Sequence, residues 1–205
     1  MDARDNSAGA RKIAVVLLAS SHRGKLREYR RLAVSAAIEL DLMPDFQKLP
    51  RFDESAPTFA ENSAGKALHY SQFTSELVLA DDSGLVIPAL GGAPGVQSAR
   101  YAGPDATDAD RTQKLLKEME GMQGGQRRAR FVCVISLACE GRTLAVTSDF
   151  TEGVLTAEPQ GKQGFGYDPI FFSHDLGRTF AEISEEGKNR LSHRGKAFRK
   201  MLEIL

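Results

Sequence analysis

The sequence predicts an α/β domain built on a mixed sheet. Apolar strands alternate with amphipathic helices in the first half of the chain, and two adjacent strands joined by a short turn follow in the second half. The composition is that of a folded globular protein, with 41% hydrophobic and 26% charged residues in a chain of 205. A chain of this length holds one domain, or two closely joined lobes, at about 100–200 residues per domain. We therefore expect one domain over residues 12–205, after a frayed, flexible tail over residues 1–11.

The charge balance and the apolar runs exclude several classes of protein. Lys plus Arg and Asp plus Glu both number 27, so no bulk basic surface is available to bind nucleic acid. No apolar run approaches the roughly 20 residues of a membrane span, and the first twelve residues lack the apolar segment of a signal peptide. Cys133 and Cys139 match neither a metal-binding nor a disulfide pattern. We expect a cytoplasmic protein with reduced thiols that binds neither nucleic acid nor membranes.

The first elements follow from the apolar pattern. Lys12–Ala19 is β-branched and apolar without alternation, which predicts a buried strand. A polar turn over residues 20–25 follows, and apolar residues then recur at helical spacing from Leu26 to Ala37. Pro44 and Pro50 indicate a loop or a short edge segment between them.

A capping box marks the second helix. Thr58 and Glu61 have the required spacing, so a helix is expected to begin there and to continue to about Phe73. Gly65 costs that helix about 1 kcal/mol relative to Ala, which suggests that another segment approaches it closely. A short apolar strand over residues 77–80 follows, and we expect it to end before the acidic residues that come next.

The second half of the chain predicts two helices and a hairpin. Thr107 and Asp110 form another capping box, and a helix runs from there to a C-cap at Gly121. Two strands flank a turn over residues 140–142, as in a β-hairpin. They cover residues 130–139 and 143–150. A final helix begins near Ser192.

The turn after the first strand has features of a phosphate site. Ser20, Ser21 and His22 lie between a strand and a helix, where backbone N–H groups and the helix dipole favour an anion. Lys25 adds a full positive charge. The spacing is not that of a P-loop, and an ordinary polar turn explains these residues equally simply.

Two acidic pairs are candidates for metal binding. Asp81 and Asp82, followed by Ser83, come after a buried strand, where carboxylates are costly unless they are paired or bind a cation. Carboxylate oxygens suit Mg²⁺, and one aspartate would hold the metal while the other orients or deprotonates a water. A simple Asx-turn is the alternative. Asp53 and Glu54 form a second pair, whose interest depends on whether it faces the first.

A glycine-rich loop over residues 161–169 contains aromatic side chains. Phe165 or Tyr167 would stack on a nucleobase, and Asp168 would accept hydrogen bonds from ring N–H groups. A structural loop whose aromatic residues belong to the core is the alternative.

Two basic features lie outside that loop. Lys188, His193 and Arg194 form a cluster near the last helix, which suits a polyanion or a purine carbonyl but also an ordinary solvated surface. Arg100 follows a glycine-rich turn over residues 91–95 and has either a structural or a binding role.

Five segments together resemble one enzyme family. They are Phe59–Asn62 with Lys66, Leu79–Leu85, Leu90–Tyr101, Gly164–Phe172 and Ser192–Gly195. In this order they resemble the inosine triphosphate pyrophosphatase family, and the resemblance runs from about Ile13 to the end of the chain. The resemblance implies an elongated, two-lobed α/β fold with a central twisted mixed sheet flanked by helices and a nucleotide cleft between the lobes.

The resemblance also implies an activity. The family consists of Mg²⁺-dependent hydrolases that cleave ITP, dITP and XTP to the monophosphate and pyrophosphate, which cleanses the nucleotide pool. Its members are usually cytoplasmic homodimers whose partner is a purine nucleoside triphosphate. Position by position, Asp82 matches the general base and a metal ligand, with Asp81 beside it and Glu54 at the other acidic position. The positions that match substrate contacts are Ser20, Ser21, His22, Lys25 and Lys66 at the phosphates, Ser83 and Arg100 beside the nucleotide, Phe165, Gly166, Tyr167 and Asp168 in the base loop, and Lys188, His193 and Arg194 near the 6-oxo group.

One position departs from the family pattern. His22 stands where the phosphate turn usually carries Asn. A histidine still donates a hydrogen bond to phosphate, but its charge then titrates near neutral pH. We predict an altered phosphate affinity and a pH dependence without loss of activity, and an unchanged pH profile in His22→Asn would contradict this.

Two other functions stay open at this point. One is a nucleotide pyrophosphatase with a shifted base preference, towards modified pyrimidines or standard dNTPs, although the pocket residues match the purine pattern. The other is a non-catalytic nucleotide-binding protein. Retention of Lys25, Glu54 and the aspartate pair favours an enzyme, because a protein that only binds would be free to lose them.

Overall fold

The computed structural model of the protein describes residues 14–34, 36 and 38–205. Its strands are β1 (Ala14–Leu18), β2 (Ile38–Leu42), β3 (Leu77–Val86), β4 (Arg128–Cys139), β5 (Arg142–Leu155), β6 (Phe171–Ser173) and β7 (Arg178–Thr179). Its helices are α1 (Arg23–Leu32), α2 (Phe59–Tyr70), α3 (Asp108–Glu118), α4 (Glu185–Leu191) and α5 (His193–Leu202). The tail predicted over residues 1–11 lies outside the described residues. Within the described ranges, no helix is both long enough and apolar enough to cross a bilayer.

The seven strands form one mixed sheet in the order β2-β1-β3-β4-β5-β6-β7. β1 runs parallel to both β2 and β3, and from β3 onward each pair of neighbours is antiparallel. Parallel neighbours require a crossover connection, and α1 provides it between β1 and β2. The antiparallel strands β4 and β5 meet in a tight turn. The predicted α/β class and mixed sheet are therefore confirmed.

Helices cover both faces of the sheet around β1. Val16 and Leu18 pack on one face with Tyr29 of α1 and Phe198 of α5. Leu17 points to the other face, where α2 packs. Because successive strand residues point to opposite faces, a strand covered on both sides must be apolar throughout. This explains the absence of alternation in the first strand.

A further apolar cluster lies towards the other end of the long strands. Phe131 of β4 packs there with Leu85, Leu115 and Phe171. β4 contributes Cys133, Ile135 and Leu137 to the cluster around α1 and α5, so one strand belongs to both. The cleft described below lies between these two clusters, with Phe131 in its lining.

The prediction that the third strand ends before the aspartate pair is wrong. β3 continues to Val86, and its antiparallel register with β4 runs unbroken from Val78 to Val86. Asp81 and Asp82 therefore lie inside a central strand. Their side chains point to opposite faces of the sheet, because alternation is obligatory there. This geometry replaces the expected acidic turn.

Three smaller differences concern element bounds. α1 ends at Leu32 instead of continuing to Ala37, and α2 ends at Tyr70 with a 3-10 turn after it. The edge strand β2 was not predicted, since it lies before Pro44 rather than between the two prolines. Gly65 is close to another segment as expected, since a Cβ there would lie 2.5 Å from the Phe52 ring.

Candidate active site

A cleft opens where the β1–α1 turn, β3 and the segment between β5 and β6 meet. It spans about 780 Å³ when the space open to solvent is counted. Most of the site residues predicted from sequence line it, namely His22, Lys25, Glu54, Asp82, Ser83, Phe165, Gly166, Tyr167, Asp168, Lys188, His193 and Arg194. The others, which are not part of the lining, are Ser20, Ser21, Lys66, Asp81 and Arg100.

The phosphate turn is organised by a helix cap. His22 is the N-cap of α1, and its Nδ1 accepts a hydrogen bond from the Lys25 N–H at 3.3 Å. The His22 N–H in turn donates to the Ser20 hydroxyl at 3.1 Å, while Ser21 is exposed. The Lys25 ammonium reaches Asp81 at 3.0 Å. The first turn of α1 therefore presents backbone N–H groups and a lysine held in place by a buried carboxylate.

The two neighbouring aspartates have opposite electrostatic environments. Burial alone would raise the pKa of Asp81, but Lys25 at 3.0 Å and Arg194 at 3.5 Å hold it well below its usual range. Burial raises the pKa of Asp82 to about 6, and the lowering influence of Lys66 and Asn62 does not cancel it. Pairs of carboxylates with opposite shifts are typical of divided roles in active sites. Asp81 is a counter-ion to Lys25 and Arg194, whereas Asp82 is the carboxylate that lines the cleft.

Glu54 lies on the Asp82 side of the strand. The buried ammonium of Lys66 contacts Glu54 Oε1 at 2.7 Å and the Asp81 carbonyl oxygen at 2.8 Å. Arg100 donates to the Glu54 carbonyl oxygen at 2.6 Å. The structure thus places Arg100 behind the segment that carries Glu54, not in the cleft where it was expected.

The donor set on this side fits a magnesium ion with few protein ligands. No group of three or more His, Cys, Asp or Glu side chains with metal-binding geometry occurs among the described residues. Glu54 and Asp82 both line the cleft, whereas the Asp81 side chain points away and is already paired. Mg²⁺ commonly uses one or two carboxylates together with substrate phosphates and water. The expected metal set therefore reduces to Glu54 and Asp82.

A buried ion network holds the basic cluster. Lys188 contacts Asp168 at 2.5 Å and Glu28 at 3.0 Å, and Arg194 also pairs with Glu28. Arg194 further donates to the Ser83 hydroxyl at 3.0 Å. The lysine and the arginine of the basic cluster are therefore buried and ion-paired, and the cluster is not a solvated surface.

Glu28 was not among the predicted site residues. It lies on α1, three positions after Lys25, so both side chains project from one face of the helix. It is 4% exposed although it is charged. Its position three residues after Lys25 was the only feature of the sequence that pointed to Glu28. Its partners Lys188 and Arg194 are too distant in sequence for any local pattern to reveal them.

The aromatic loop, residues 164–168, presents Phe165 to the cleft. Its ring lies 4.6 Å from the His22 ring, and the Lys188 ammonium lies 4.7 Å from its centroid. Tyr167 is buried, and its hydroxyl donates to the Ser98 carbonyl oxygen at 3.0 Å. Phe165 is consequently the better placed of the two rings for stacking on a ligand.

His22 titrates lower than expected from sequence. Burial lowers its pKa, and the positive charges of Lys25 and Arg194 lower it further. Its Nδ1 also accepts the Lys25 N–H, which requires that nitrogen to be unprotonated. Any pH dependence that His22 brings is therefore expected on the acid side of pH 6.5 rather than around neutrality.

His193 makes stability sensitive to acid. Its ring stacks on Phe131 with centroids 4.7 Å apart, and burial, with Arg194 and Lys188 nearby, places its pKa well below the usual value. In the unfolded chain the ring takes up a proton near pH 6.5, while the folded ring stays neutral to lower pH. Stability is then full above pH 7 and falls as the pH drops through 6.5, by at most about 1.4 kcal/mol per pH unit from this group.

Thermal unfolding at pH 7.5, 6.5 and 5.5 tests this expectation. His193→Gln should flatten the decline of the unfolding midpoint, whereas His174→Gln, which changes an exposed histidine, should not. Equal slopes for the wild type and His193→Gln would contradict the buried neutral state.

The fold and the cleft define an α/β protein whose cleft combines cationic side chains, two carboxylates and an aromatic loop. The chain belongs to the Ham1 family, whose model matches residues 16–204. A relative from Geobacillus kaustophilus named dITP/XTP pyrophosphatase is 44% identical over 188 residues, which are 92% of each chain. A HAM1 protein structure from Coxiella burnetii is 42% identical with a TM-score of 0.83, covering 93% of this chain and 98% of the other. The Staphylococcus aureus Ham1 structure is 33% identical with a TM-score of 0.81, covering 93% and 97%. These findings confirm the resemblance stated from sequence.

Proposed function

We propose that the protein hydrolyses the non-standard purine nucleoside triphosphates ITP, dITP and XTP to the monophosphate and pyrophosphate. The observation that supports this proposal is that one cleft contains both carboxylates suited to a metal ion and groups suited to a purine. The Glu54 and Asp82 carboxylates line it together with Phe165 and Arg194, which suit a purine ring. The names of the relatives agree with this assignment.

Of the two lysines expected at the phosphates, Lys25 lines the cleft and would bind them, whereas Lys66 is buried outside the lining and would act only through its charge. Lys25 stands at the first turn of α1, where backbone N–H groups also face an anion. Lys66 stands behind Glu54 and Asp81 and raises the positive potential at the carboxylates. The Ser83 hydroxyl lies on the Asp81 face of β3, where it contacts Asp81 Oδ2 at 3.4 Å and accepts from Arg194, and Ser83 lines the cleft, so it is available to the nucleotide.

Asp82 would act as the general base that takes a proton from the water attacking the α-phosphorus, with pyrophosphate as the leaving group, and Glu54 and Asp82 would hold Mg²⁺. Mg²⁺ bound there supplies charge neutralisation for the phosphates. Asn62 donates to Asp82 Oδ2 at 3.1 Å and orients the carboxylate. Metal binding is checked by calorimetric titration of Mg²⁺ with a phosphate-free protein. Glu54→Gln should weaken it, and Glu61→Gln, at an exposed position of α2 outside the cleft lining, should not.

The base is selected by donors at the inner end of the cleft. Arg194 offers N–H groups to a 6-oxo group, and the 6-amino group of adenine would leave them facing another donor. His193 is neutral and keeps one N–H, so it is a second possible donor. The competing enzyme hypothesis is a nucleotide pyrophosphatase with a shifted base preference.

The experiment that tests the proposal is pyrophosphate release with Mg²⁺ from ITP, dITP, XTP, GTP and ATP. Strong preference for the first three supports both the reaction and the base assignment. Similar turnover of GTP or ATP would keep the chemistry and refute the cleansing role. Binding of ITP without turnover would favour the non-catalytic nucleotide-binding protein.

The quaternary state is part of the same proposal. Leu144, Val146 and Phe150 of β5 are exposed on one face of the strand, by 53%, 48% and 48%. Exposed apolar patches often mark interaction sites, and a second copy of the chain is the partner we propose for this one. Sedimentation of the wild type and of Val146→Lys tests the homodimer. We also propose a cytoplasmic location, which suits an enzyme that acts on the pool of free nucleotides.

A further inference from the structure

The aromatic loop is too rich in glycine to hold its own shape. Gly164 and Gly166 have φ angles of +76° and +63°, in the left-handed region. Glycine reaches that region without steric cost, but it also samples many other conformations. The position of Phe165 in the cleft must therefore be fixed by contacts with other elements.

Three side chains from other elements or from the loop itself provide those contacts. Asp168 accepts the Phe165 N–H at 2.9 Å and is held by Lys188. The Tyr167 hydroxyl donates to the Ser98 carbonyl oxygen. The third contact comes from Asp108, whose Oδ2 accepts the Gly166 N–H at 2.7 Å. It joins the middle of the loop to α3 across 58 positions of sequence.

Asp108 is itself held in place by an arginine. Arg111 pairs with Asp108 Oδ1 and donates to the carbonyl oxygens of Ala99 at 2.9 Å and Ala106 at 2.5 Å. Asp108 and Arg111 both line the cleft. One oxygen of the Asp108 carboxylate thus pairs with Arg111, and the other is free to accept a hydrogen bond from the loop.

The helix cap does not explain Asp108. Thr107 and Asp110 form the capping box of α3, since Asp110 Oδ2 accepts the Thr107 N–H at 2.8 Å and Thr107 Oγ1 accepts the Asp110 N–H at 3.2 Å. Asp108 contributes nothing to these two hydrogen bonds. Of its two oxygens, one pairs with Arg111 within α3 and the other accepts the N–H of the aromatic loop.

We propose that Asp108 is a positioning residue for base recognition, which acts through the Gly166 N–H to hold Phe165 where a nucleobase stacks. This inference rests on the proposed function for the identity of the ligand. Because Asp108 orders the loop before the ligand arrives, its loss adds an ordering cost to binding. The cost affects the ring of the ligand and spares the phosphates, which contact the β1–α1 turn and the metal site.

The test compares Asp108→Ala and Asp108→Asn with Asp110→Ala. Asp110 lies in the same first turn, so its loss weakens the helix cap without touching the loop. Two readouts are made on the full chain: hydrogen exchange at the Gly166 amide, and binding of a non-hydrolysable α,β-methylene ITP alongside inorganic tripolyphosphate. We expect Asp108→Ala to accelerate exchange at Gly166 and to weaken the ITP analogue by about 10- to 100-fold. Tripolyphosphate affinity should change less than twofold, and Asp108→Asn, which keeps an acceptor oxygen, should be intermediate.

Several results would overturn the positioning role. Unchanged analogue affinity despite faster Gly166 exchange would show that loop order does not matter for binding. Equal losses in Asp108→Ala and Asp110→Ala, or equal losses for the analogue and tripolyphosphate, would indicate a general structural effect. If the wild type bound tripolyphosphate but no purine analogue, the proposed function would be refuted as well. That result is separate from a failure of the positioning role, because it is seen in the wild type without any substitution.

Discussion

Asp82→Asn should lower kcat for ITP by about 10²–10⁴-fold or more, because it removes a general base and one of the two proposed magnesium ligands. The substitution keeps the size of the side chain and leaves an oxygen that accepts the Asn62 amide. Binding of the nucleotide should persist, since Lys25, Phe165 and Arg194 are untouched. Pyrophosphate release under single-turnover conditions is the measurement.

The same substitution should not destabilise the fold. With its pKa raised to about 6, Asp82 gives up its proton less readily in the folded state than in the unfolded chain. The ionised carboxylate therefore disfavours folding, and the penalty grows as the pH rises from about 4 and is complete above 6. Asn removes the penalty. In metal-free buffer at pH 7 the variant should unfold at the same temperature as the wild type or higher.

Asp81→Asn is the matched control, one residue away with the opposite environment. Its depressed pKa means that its charge stabilises the fold at neutral pH, and this stability is lost on acidification through its low folded pKa. Loss of that charge leaves Lys25 and Arg194 under-compensated and should cost about 3–5 kcal/mol. Asp82→Asn with wild-type activity, or equal destabilisation of the two variants, would contradict the division of roles.

The parts of the fold that local patterns determine were predictable. Alternating strands and helices indicated the mixed sheet, and the capping boxes at Thr58 and Thr107 located two helix starts correctly. These features depend on contacts within a few residues. The extension of β3 through two aspartates was not predictable in this way, because charged residues in a central strand are stable only when distant partners compensate them.

The candidate site shows the same limit. The aspartate pair drew attention through its composition, but its division into a counter-ion and a reactive carboxylate depends on Lys25 from α1 and Arg194 from α5. Glu28 was not predicted as a site residue, because its partners lie 160 and 166 positions away in sequence. Asp108 was not singled out from sequence, because its partner Gly166 lies 58 positions away.

Glu28→Gln should damage both stability and base recognition. Glu28 is buried between Lys188 and Arg194, and those two cations are themselves almost fully buried. The neutral amide leaves the pair with less compensation, and removing one partner of a buried ion pair typically costs about 3–5 kcal/mol. For a chain of this length that corresponds to a fall of roughly 6–20 °C in the unfolding midpoint.

The effect on function should exceed what instability alone explains. Lys188 and Arg194 lose the anchor that fixes them around the purine, and a displacement of about 1 Å in such groups can cost about 10²-fold in rate. We expect kcat/KM for ITP to fall by about this factor at 15 °C, where the variant is still folded, while that for ATP changes much less. Discrimination between the 6-oxo and 6-amino purines therefore shrinks.

Glu185→Gln separates this role from a general loosening of α1 against α4. Glu185 pairs with Arg27 and Arg31 of α1, both of which are more than half exposed. Exposed pairs contribute about 0–1 kcal/mol, so this variant should keep its unfolding temperature within a few degrees and retain its ITP:ATP ratio. If both variants lost discrimination equally, the contact between the helices would matter rather than the charge of Glu28. If Glu28→Gln kept the wild-type ratio, Arg194 and Lys188 would not depend on that carboxylate for reading the base.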